Sequence, residues 1–136
     1  MPIVVDCSIF LAWSLADEEE PVAIEAMEDV VTAGGVAPRI WWYELRNALL
    51  ANERRGRITT QQVAETLTDC AAIGMEIDDH HEDASILGFA RQYRLSIYDA
   101  AYLEVASRRR LPLATLDLRL SEAAPAAGAP LIGTQG

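Results

Sequence analysis

Four acidic residues lie next to apolar stretches of the sequence, where a carboxylate is costly unless a cation or a hydrogen-bond donor meets it. Two of them, Asp6 and Asp117, follow short apolar runs that are typical of buried strands, at residues 3–5 and 113–115. In open parallel α/β sheets, ligands bind beyond the carboxyl ends of the strands. We therefore expect Asp6 and Asp117 at the same edge of the domain.

The other two acids lie on predicted helices. Glu44 is inside a long helix, with Trp41 three residues before it and Ala48 four residues after it, so its carboxylate borders the apolar face. Asp99 lies near the start of another helix and has Tyr102 on the same face. One divalent metal site shared by all four acids would explain their positions.

The ligand types indicate which metal such a site would take. Sites with only carboxylate oxygens suit Mg²⁺ or Mn²⁺ and do not suit Zn²⁺. They hydrolyse phosphodiesters by activating water and by neutralising charge on the phosphate and the leaving oxygen. Ser8 and Thr115 each lie two residues from a strand-end acid. Their hydroxyls could orient a carboxylate or a metal-bound water.

Three of the four acids also have a purely structural interpretation. Asp6 and Asp117 could cap the helices that follow them, and Asp99 could be a first-turn acid that the helix dipole favours. Glu44 has no such interpretation, because it lies in the middle of its helix. A capping explanation must account for all four acids together, and there it is weaker than a shared site.

The composition excludes some chemistries. The chain has 136 residues, 21 Asp plus Glu and 11 basic residues, all of them Arg, which gives a net charge of −10. Mechanisms that need a lysine, such as a P-loop or a Schiff base, are therefore excluded. The net charge argues against holding nucleic acid by bulk electrostatics. It is compatible with a carboxylate-rich metal site and a basic protein partner.

Short apolar strands alternate with helices along the chain, which predicts an α/β fold with a mainly parallel sheet and helices on both faces. We expect one domain over residues 1–136. The predicted strands span residues 3–5, 36–37, 75–77 and 113–115, with a further edge strand at 131–132. The predicted helices span residues 8–16, 21–33, 40–55, 60–73, 83–93, 98–108 and 118–123, and an Ala/Pro-rich connection follows at 123–130.

The sequence also predicts where the protein is found. Residues 1–6 lack a basic segment followed by a long apolar run, as a signal peptide would have, and no stretch approaches the roughly 20 apolar residues of a membrane span. The two cysteines, Cys7 and Cys70, are too few for a disulfide framework. We expect a cytoplasmic protein without a membrane partner.

Four segments, taken in order, resemble the successive motifs of PIN-domain nucleases and are most similar to VapC toxins of toxin–antitoxin modules. The resemblance runs from Ile3 to about Ile132. The segments are Val4-Val5-Asp6-Cys7-Ser8, Glu44-Leu45-Arg46-Asn47-Ala48-Leu49, Tyr98-Asp99-Ala100-Ala101-Tyr102 and Leu113-Ala114-Thr115-Leu116-Asp117.

This resemblance implies a three-layer α/β/α sandwich and Mg²⁺-dependent endoribonuclease activity on structured RNA such as tRNA or rRNA. It also implies a homodimer and a cognate antitoxin protein. The acidic site of the family would correspond to Asp6, Glu44, Asp99 and Asp117. Ser8 and Thr115 would be its supporting hydroxyls.

Two alternative functions fit the residues less well. A phosphatase with Asp6 as covalent nucleophile usually has a second acid two residues later and a lysine for phosphate; this chain has Ser8 there and no lysine. A non-catalytic signalling or interaction domain with an acidic pocket, such as a receiver-like domain, also commonly uses a lysine.

Other polar and aromatic clusters have structural interpretations. We expect the acidic and histidine run at 78–83 to be a solvated helix start, and the arginines at 108–110 to be a solvated helix end. Trp41 and Trp42 are adjacent, so one should pack inside and the other should be exposed as a dimer or antitoxin contact.

Overall fold

A computed structural model describes residues 1–15 and 20–133 of the chain. The strands are β1 (Ile3–Val5), β2 (Gly35–Pro38), β3 (Glu76–Asp78) and β4 (Leu113–Ala114). The helices are α1 (Cys7–Leu15), α2 (Pro21–Ala33), α3 (Ile40–Arg54), α4 (Thr60–Ile73), α5 (Asp83–Tyr93), α6 (Ile97–Arg109) and α7 (Leu118–Ala126). The predicted end of the first helix, at residue 16, lies outside the described residues.

The four strands form one parallel sheet in the order β3-β2-β1-β4. In the register, Ile3 is opposite Gly35 and Val4 is opposite Leu113, so β1 is a central strand. Helices α2 and α6 both pack on β1, β2 and β4, and they cover opposite faces of the sheet. The prediction of an α/β/α sandwich with a parallel sheet is confirmed.

The ends of the elements follow local sequence signals. The side chain of Thr59 accepts the amide of Gln62, whose side chain accepts the amide of Thr59, and this capping box begins α4. The predicted edge strand at 131–132 is a single parallel bridge between Leu131 and Leu113. The expected irregular connection after residue 123 is partly wrong, because α7 continues through Pro125, which lies in its last turn.

Helix α6 is the buried helix of the fold. Every residue from Ala100 to Ala106 is buried, which is typical of a helix enclosed on all sides. This helix carries Asp99 in its first turn and Arg108 in its last, so its packing sets the position of both. Among residues 1–15 and 20–133, no helix has the length and apolar character needed to cross a membrane.

The adjacent tryptophans face opposite ways, as predicted. Trp41 is buried and its ring lies 5.0 Å from that of Phe10. Trp42 is 44% exposed, and the guanidinium of Arg46 lies 3.5 Å from its ring centre, on the surface of α3.

An ion-pair cluster closes the C-terminal end of α6, so the expectation of solvated ends is wrong for Asp78, Arg108 and Arg109, while residues 79–83 and Arg110 are exposed as expected. The Arg108 guanidinium donates to Glu104 at 2.6 Å and to Asp78 at 2.8 Å, and both carboxylates are buried. Arg109 pairs with Glu76 at 2.6 Å and with Asp78 at 3.2 Å. The two arginines therefore connect the end of α6 to the acids of β3, while Glu104 holds Arg108 from within the helix.

Replacing Arg108 should therefore destabilise the fold strongly. In Arg108→Ala two buried carboxylates lose their main cation, and breaking such a pair costs about 3 kcal/mol. We expect that loss in the free energy of unfolding, measured by urea denaturation. The control Arg91→Ala, on the exposed surface of α5, should change it by less than about 0.5 kcal/mol. Equal effects of the two substitutions would show that the cluster does not stabilise α6.

Candidate active site

The parallel topology places the four predicted acids at one edge of the sheet. Asp6 directly follows β1, and Asp117 follows β4 by three residues. Glu44 lies in the second turn of α3, which starts two residues after β2 ends. Asp99 lies in the first turn of α6, which runs back toward the start of β4 and so begins at the carboxyl edge. We call these four residues the acidic edge.

Asp6 is the most enclosed acid of the acidic edge, with 5% of its surface exposed. The hydroxyl of Ser8 donates to Oδ1 of Asp6, and the hydroxyl of Thr115 donates to Oδ2. Each hydroxyl also accepts a backbone amide at 2.9 Å, Ser8 from Leu116 and Thr115 from Asp117. The loop after β4 therefore orients both oxygens of the Asp6 carboxylate through two hydroxyls.

Glu44 is held by a residue from another helix. The hydroxyl of Tyr102, on α6, donates to Oε1 of Glu44 at 2.6 Å. Tyr102 is 1% exposed, so its ring fixes the place of the hydroxyl and its hydrogen bond fixes one oxygen of Glu44. The other oxygen of Glu44 has no hydrogen bond within the described part of the chain.

Asp99 and Asp117 differ in how far capping explains them. Ser96, not Asp99, caps α6, since its hydroxyl accepts the amide of Asp99 at 3.1 Å. Asp117 does cap α7, because its Oδ1 accepts the amide of Leu120 at 2.9 Å. Capping therefore accounts for one oxygen of Asp117, and Asp99 lies in the first turn of α6, where the helix dipole favours an acid.

The acids at this edge repel one another. Burial raises the pKa of Asp6 to about 6, against the hydrogen bonds from Ser8 and Thr115, and the charge of Asp99 adds to the increase. Burial first and the charge of Asp99 second raise the pKa of Glu44. Burial and then the charge of Asp117 raise the pKa of Asp99. Asp99 is therefore the one acid of the acidic edge whose charge interaction with each of the other three contributes to a raised pKa.

The donor set of the acidic edge fits Mg²⁺ or Mn²⁺, since it consists of carboxylate oxygens and hydroxyls without thiolate or imidazole ligands. A cation there would offset the burial and the repulsion that together raise the pKa of Asp6, Glu44 and Asp99. As the side chains stand, no three Asp, Glu, His or Cys groups of residues 1–15 and 20–133 are close enough together to hold a metal ion. The acids share an edge without forming a finished coordination sphere.

Two neighbours of the acidic edge were not predicted to act there. Tyr102 was read from its spacing as part of an apolar stripe, and its hydroxyl was the only sequence sign that it could reach an acid. Cys7 lies between Asp6 and Ser8, and burial followed by the charge of Glu44 raises the pKa of its thiol to about 12. Cys7 therefore stays protonated at neutral pH and is a poor nucleophile.

Comparison with known proteins identifies the family. The sequence model of the PIN domain family matches residues 3–125 of this chain. This range is most of the chain and includes all four acids of the acidic edge. The chain belongs to the PIN domain family. PIN domains are generally nucleases, typically with divalent metal ions, so this chain has the fold of a hydrolase that acts on nucleic acids.

A solved structure supports the same fold. The crystal structure of PAE2754 from Pyrobaculum aerophilum is similar, with a TM-score of 0.73 and 21% sequence identity. The similarity covers 95% of this chain and 87% of that chain. Among curated proteins, none matches. At this identity the likeness concerns the fold alone.

The raised pKa of Asp6 predicts how pH affects stability. The native state binds the Asp6 proton more tightly than the unfolded state, so stability falls as pH rises from 3.8 to about 6. At pH 7 the ionised carboxylate costs about 3 kcal/mol. In EDTA the melting temperature of the native protein should therefore fall between pH 4 and pH 7 relative to that of Asp6→Asn, which does not ionise but whose amide nitrogen loses one of the two hydroxyl hydrogen bonds at every pH.

Thermal melts between pH 4 and pH 8 would measure this difference. Asp69→Asn, on the exposed face of α4, is the control and should behave like the native protein at every pH. A difference between the two melting temperatures that does not change between pH 4 and pH 7 would show that the ionised Asp6 is not destabilised by its surroundings.

Proposed function

We propose that this protein is an Mg²⁺-dependent endoribonuclease, with Mn²⁺ as a substitute metal, and that it is the toxin of a toxin–antitoxin pair. The observation that carries the proposal is the acidic edge: four carboxylates from four separate segments lie at the carboxyl end of a parallel sheet, and burial together with the charge of a neighbouring acid raises the pKa of Asp6, Glu44 and Asp99. A fold maintains such repulsion when the charges have a use.

Asp6, Glu44, Asp99 and Asp117 would hold the metal. The bound ion would lower the pKa of the attacking water and would neutralise charge on the scissile phosphate. The chain supplies orientation: Ser8 and Thr115 each fix one oxygen of Asp6.

Tyr102 performs the same task for Glu44. In each case the hydrogen bonds leave the carboxylate with lone pairs that no donor among residues 1–15 and 20–133 uses. Fixing these carboxylates before the substrate arrives lowers the cost of assembling the site.

The alternative in which Asp6 is a covalent nucleophile is disfavoured by its environment. Its carboxylate is buried, and each oxygen accepts a hydroxyl hydrogen, which withdraws electron density and makes the carboxylate a weaker nucleophile. No contact among the described residues favours the non-catalytic signalling alternative.

Cleavage of RNA should depend on the metal and on Asp99. Asp99 interacts with the three other acids, so Asp99→Asn should lower the cleavage rate by at least about a hundredfold while the fold is kept. The assay is gel analysis of tRNA and rRNA incubated with the native protein and the variant in Mg²⁺, Mn²⁺ or EDTA. Mg²⁺ should also raise the melting temperature of the native protein.

The exposed Asp69→Asn variant is again the matched control and should cleave at the native rate. Robust cleavage by the native protein in excess EDTA would rule out a metal-dependent mechanism. Full activity of a folded Asp99→Asn variant would remove Asp99 from the site.

An apolar rim around the acidic edge supports a protein partner. Exposed apolar side chains flank Asp99 and Asp117, and such groups mark interaction surfaces. The rim consists of Ile97, Tyr98, Leu116 and Leu118. We infer that a small basic antitoxin covers the rim and places an arginine among the carboxylates, with its opposite net charge speeding association. The exposed aromatic pair Trp42 and Tyr43 on α3 would suit contact with a second copy of the chain in a homodimer.

The antitoxin hypothesis predicts a growth phenotype. Expression of the native protein should arrest bacterial growth, and co-expression of the small protein encoded beside it should restore growth, because that protein blocks the acidic edge. Asp99→Asn should not arrest growth. A toxic native protein that its neighbour does not relieve would show that the two are not a pair.

A further inference from the structure

A groove beside the acidic edge carries two arginines. It lies between the C-terminal end of α5 and the side of α7 and has a volume of about 330 Å³. Its lining residues are Tyr93, Arg94, Arg119, Glu122, Ala123 and Ala126. We call it the arginine groove.

The arginines of this groove are not used in ion pairs. Within residues 1–15 and 20–133, no carboxylate lies within 4.0 Å of the guanidinium of Arg94 or Arg119. Arg119 donates from Nη1 to the backbone carbonyl of Arg94 at 3.4 Å, which holds its side chain across the groove. Glu122 is the one acid of the lining, so the groove keeps a net positive charge in a chain whose net charge is −10.

The dipole of its own helix does not explain the place of Arg119, although its hydrogen bond to the carbonyl of Arg94 puts its guanidinium at the C-terminal end of α5, where a cation is favoured. Arg119 is the second residue of α7, where the helix dipole disfavours a cation. Its one hydrogen bond to a carbonyl leaves most of the N–H donors of the guanidinium unused, and no carboxylate of residues 1–15 and 20–133 pairs with them, so they are available to an anion from outside the chain.

The groove adjoins the acidic edge through the chain itself. Arg119 comes two residues after Asp117, and Arg94 comes five residues before Asp99. Asp99 and Asp117 are close enough for the charge of one to raise the pKa of the other, so the beginnings of α6 and α7 lie side by side. The acidic edge and the arginine groove therefore both border the first turn of α7.

We propose that the arginine groove binds a backbone phosphate of the RNA next to the one that is cleaved. This inference rests on the proposed endoribonuclease function. The acidic edge and the net charge of −10 both repel a polyanion, so binding requires a local cation next to the site. Two guanidiniums in one groove offer parallel N–H donors that match phosphate oxygens and do not depend on base identity.

The backbone conformation at Arg94 allows a substitution that removes its charge without destabilising the fold. Arg94 ends α5 in the left-handed conformation with φ 54°, and Arg110 ends α6 in the same way with φ 55°. Glycine adopts this conformation without steric cost. Arg94→Gly and Arg110→Gly each remove one positive charge and should each raise the melting temperature, but only Arg94 lines the groove. Arg110→Gly is therefore the matched control.

The experiment measures binding of a fluorescein-labelled single-stranded RNA by anisotropy, in EDTA and over a range of NaCl concentrations. Arg94→Gly and Arg119→Gln should each weaken binding at least about fivefold and lower the slope of log K against log salt by about one. Arg110→Gly should keep the native affinity and slope. Native affinity and slope in both groove variants would overturn the proposal. That result is the one expected if the groove binds an acidic protein instead of RNA.

Equal weakening by Arg110→Gly would also overturn the proposal, because it would show an effect of net charge alone. Binding in EDTA is independent of cleavage, so the two hypotheses fail separately. If the native protein binds RNA through the groove but does not cleave it in Mg²⁺, the proposed nuclease function is wrong, and the binding of an RNA phosphate in the groove is still supported. If it cleaves and the groove variants bind like the native protein, only the groove is wrong.

Discussion

The organisation of the candidate site depends on the two hydroxyl hydrogen bonds to the carboxylate of Asp6. Burial at the end of a central strand pushes this carboxylate toward its neutral form, and the donors Ser8 and Thr115 work against that push. Each hydroxyl accepts an amide from the loop after β4, so its only hydrogen points at the carboxylate. The charge on Asp6 therefore requires that β4 lie directly beside β1.

Helix α6 connects the acidic edge to the ion-pair cluster around Arg108. One end supplies Asp99 and, a turn later, the Tyr102 hydroxyl that orients Glu44. The other end is fixed to β3 by Arg108 and its buried carboxylates. The repulsion at the first end and the paired charges at the second are separated by a run of buried apolar residues. The fold tolerates an unfavourable cluster of acids because the helix that carries part of it is anchored elsewhere.

The distribution of arginine explains how an acidic chain could act on a polyanion. Arg39, Arg108 and Arg109 are neutralised by carboxylates of the chain and serve the fold. Arg94 and Arg119 share a groove next to the acidic edge. If the proposed function holds, the two arginines beside the site guide the RNA, and the net charge of the chain matters less. Salt screens the more distant acidic residues, whereas the nearby arginines act on the phosphates at short range.

Local signals let the sequence determine the elements of this protein. Apolar runs, glycines and the capping box at Thr59 place most helix and strand ends within two residues, because these signals act between near neighbours. The rule that ligands bind at strand ends also places Asp6 and Asp117 at one edge without any knowledge of strand order.

Only the tertiary structure decided which side chains meet. Thr115 reaches Asp6 across 109 positions and Tyr102 reaches Glu44 across 58, and neither pair could be chosen before the strand order β3-β2-β1-β4 was known. The same holds for Arg108, whose partner Asp78 lies on a strand that the sequence does not place beside α6. Periodicity tells which face of an element is buried, but it does not tell what packs against that face, because contacts between distant segments depend on the packing of the whole domain.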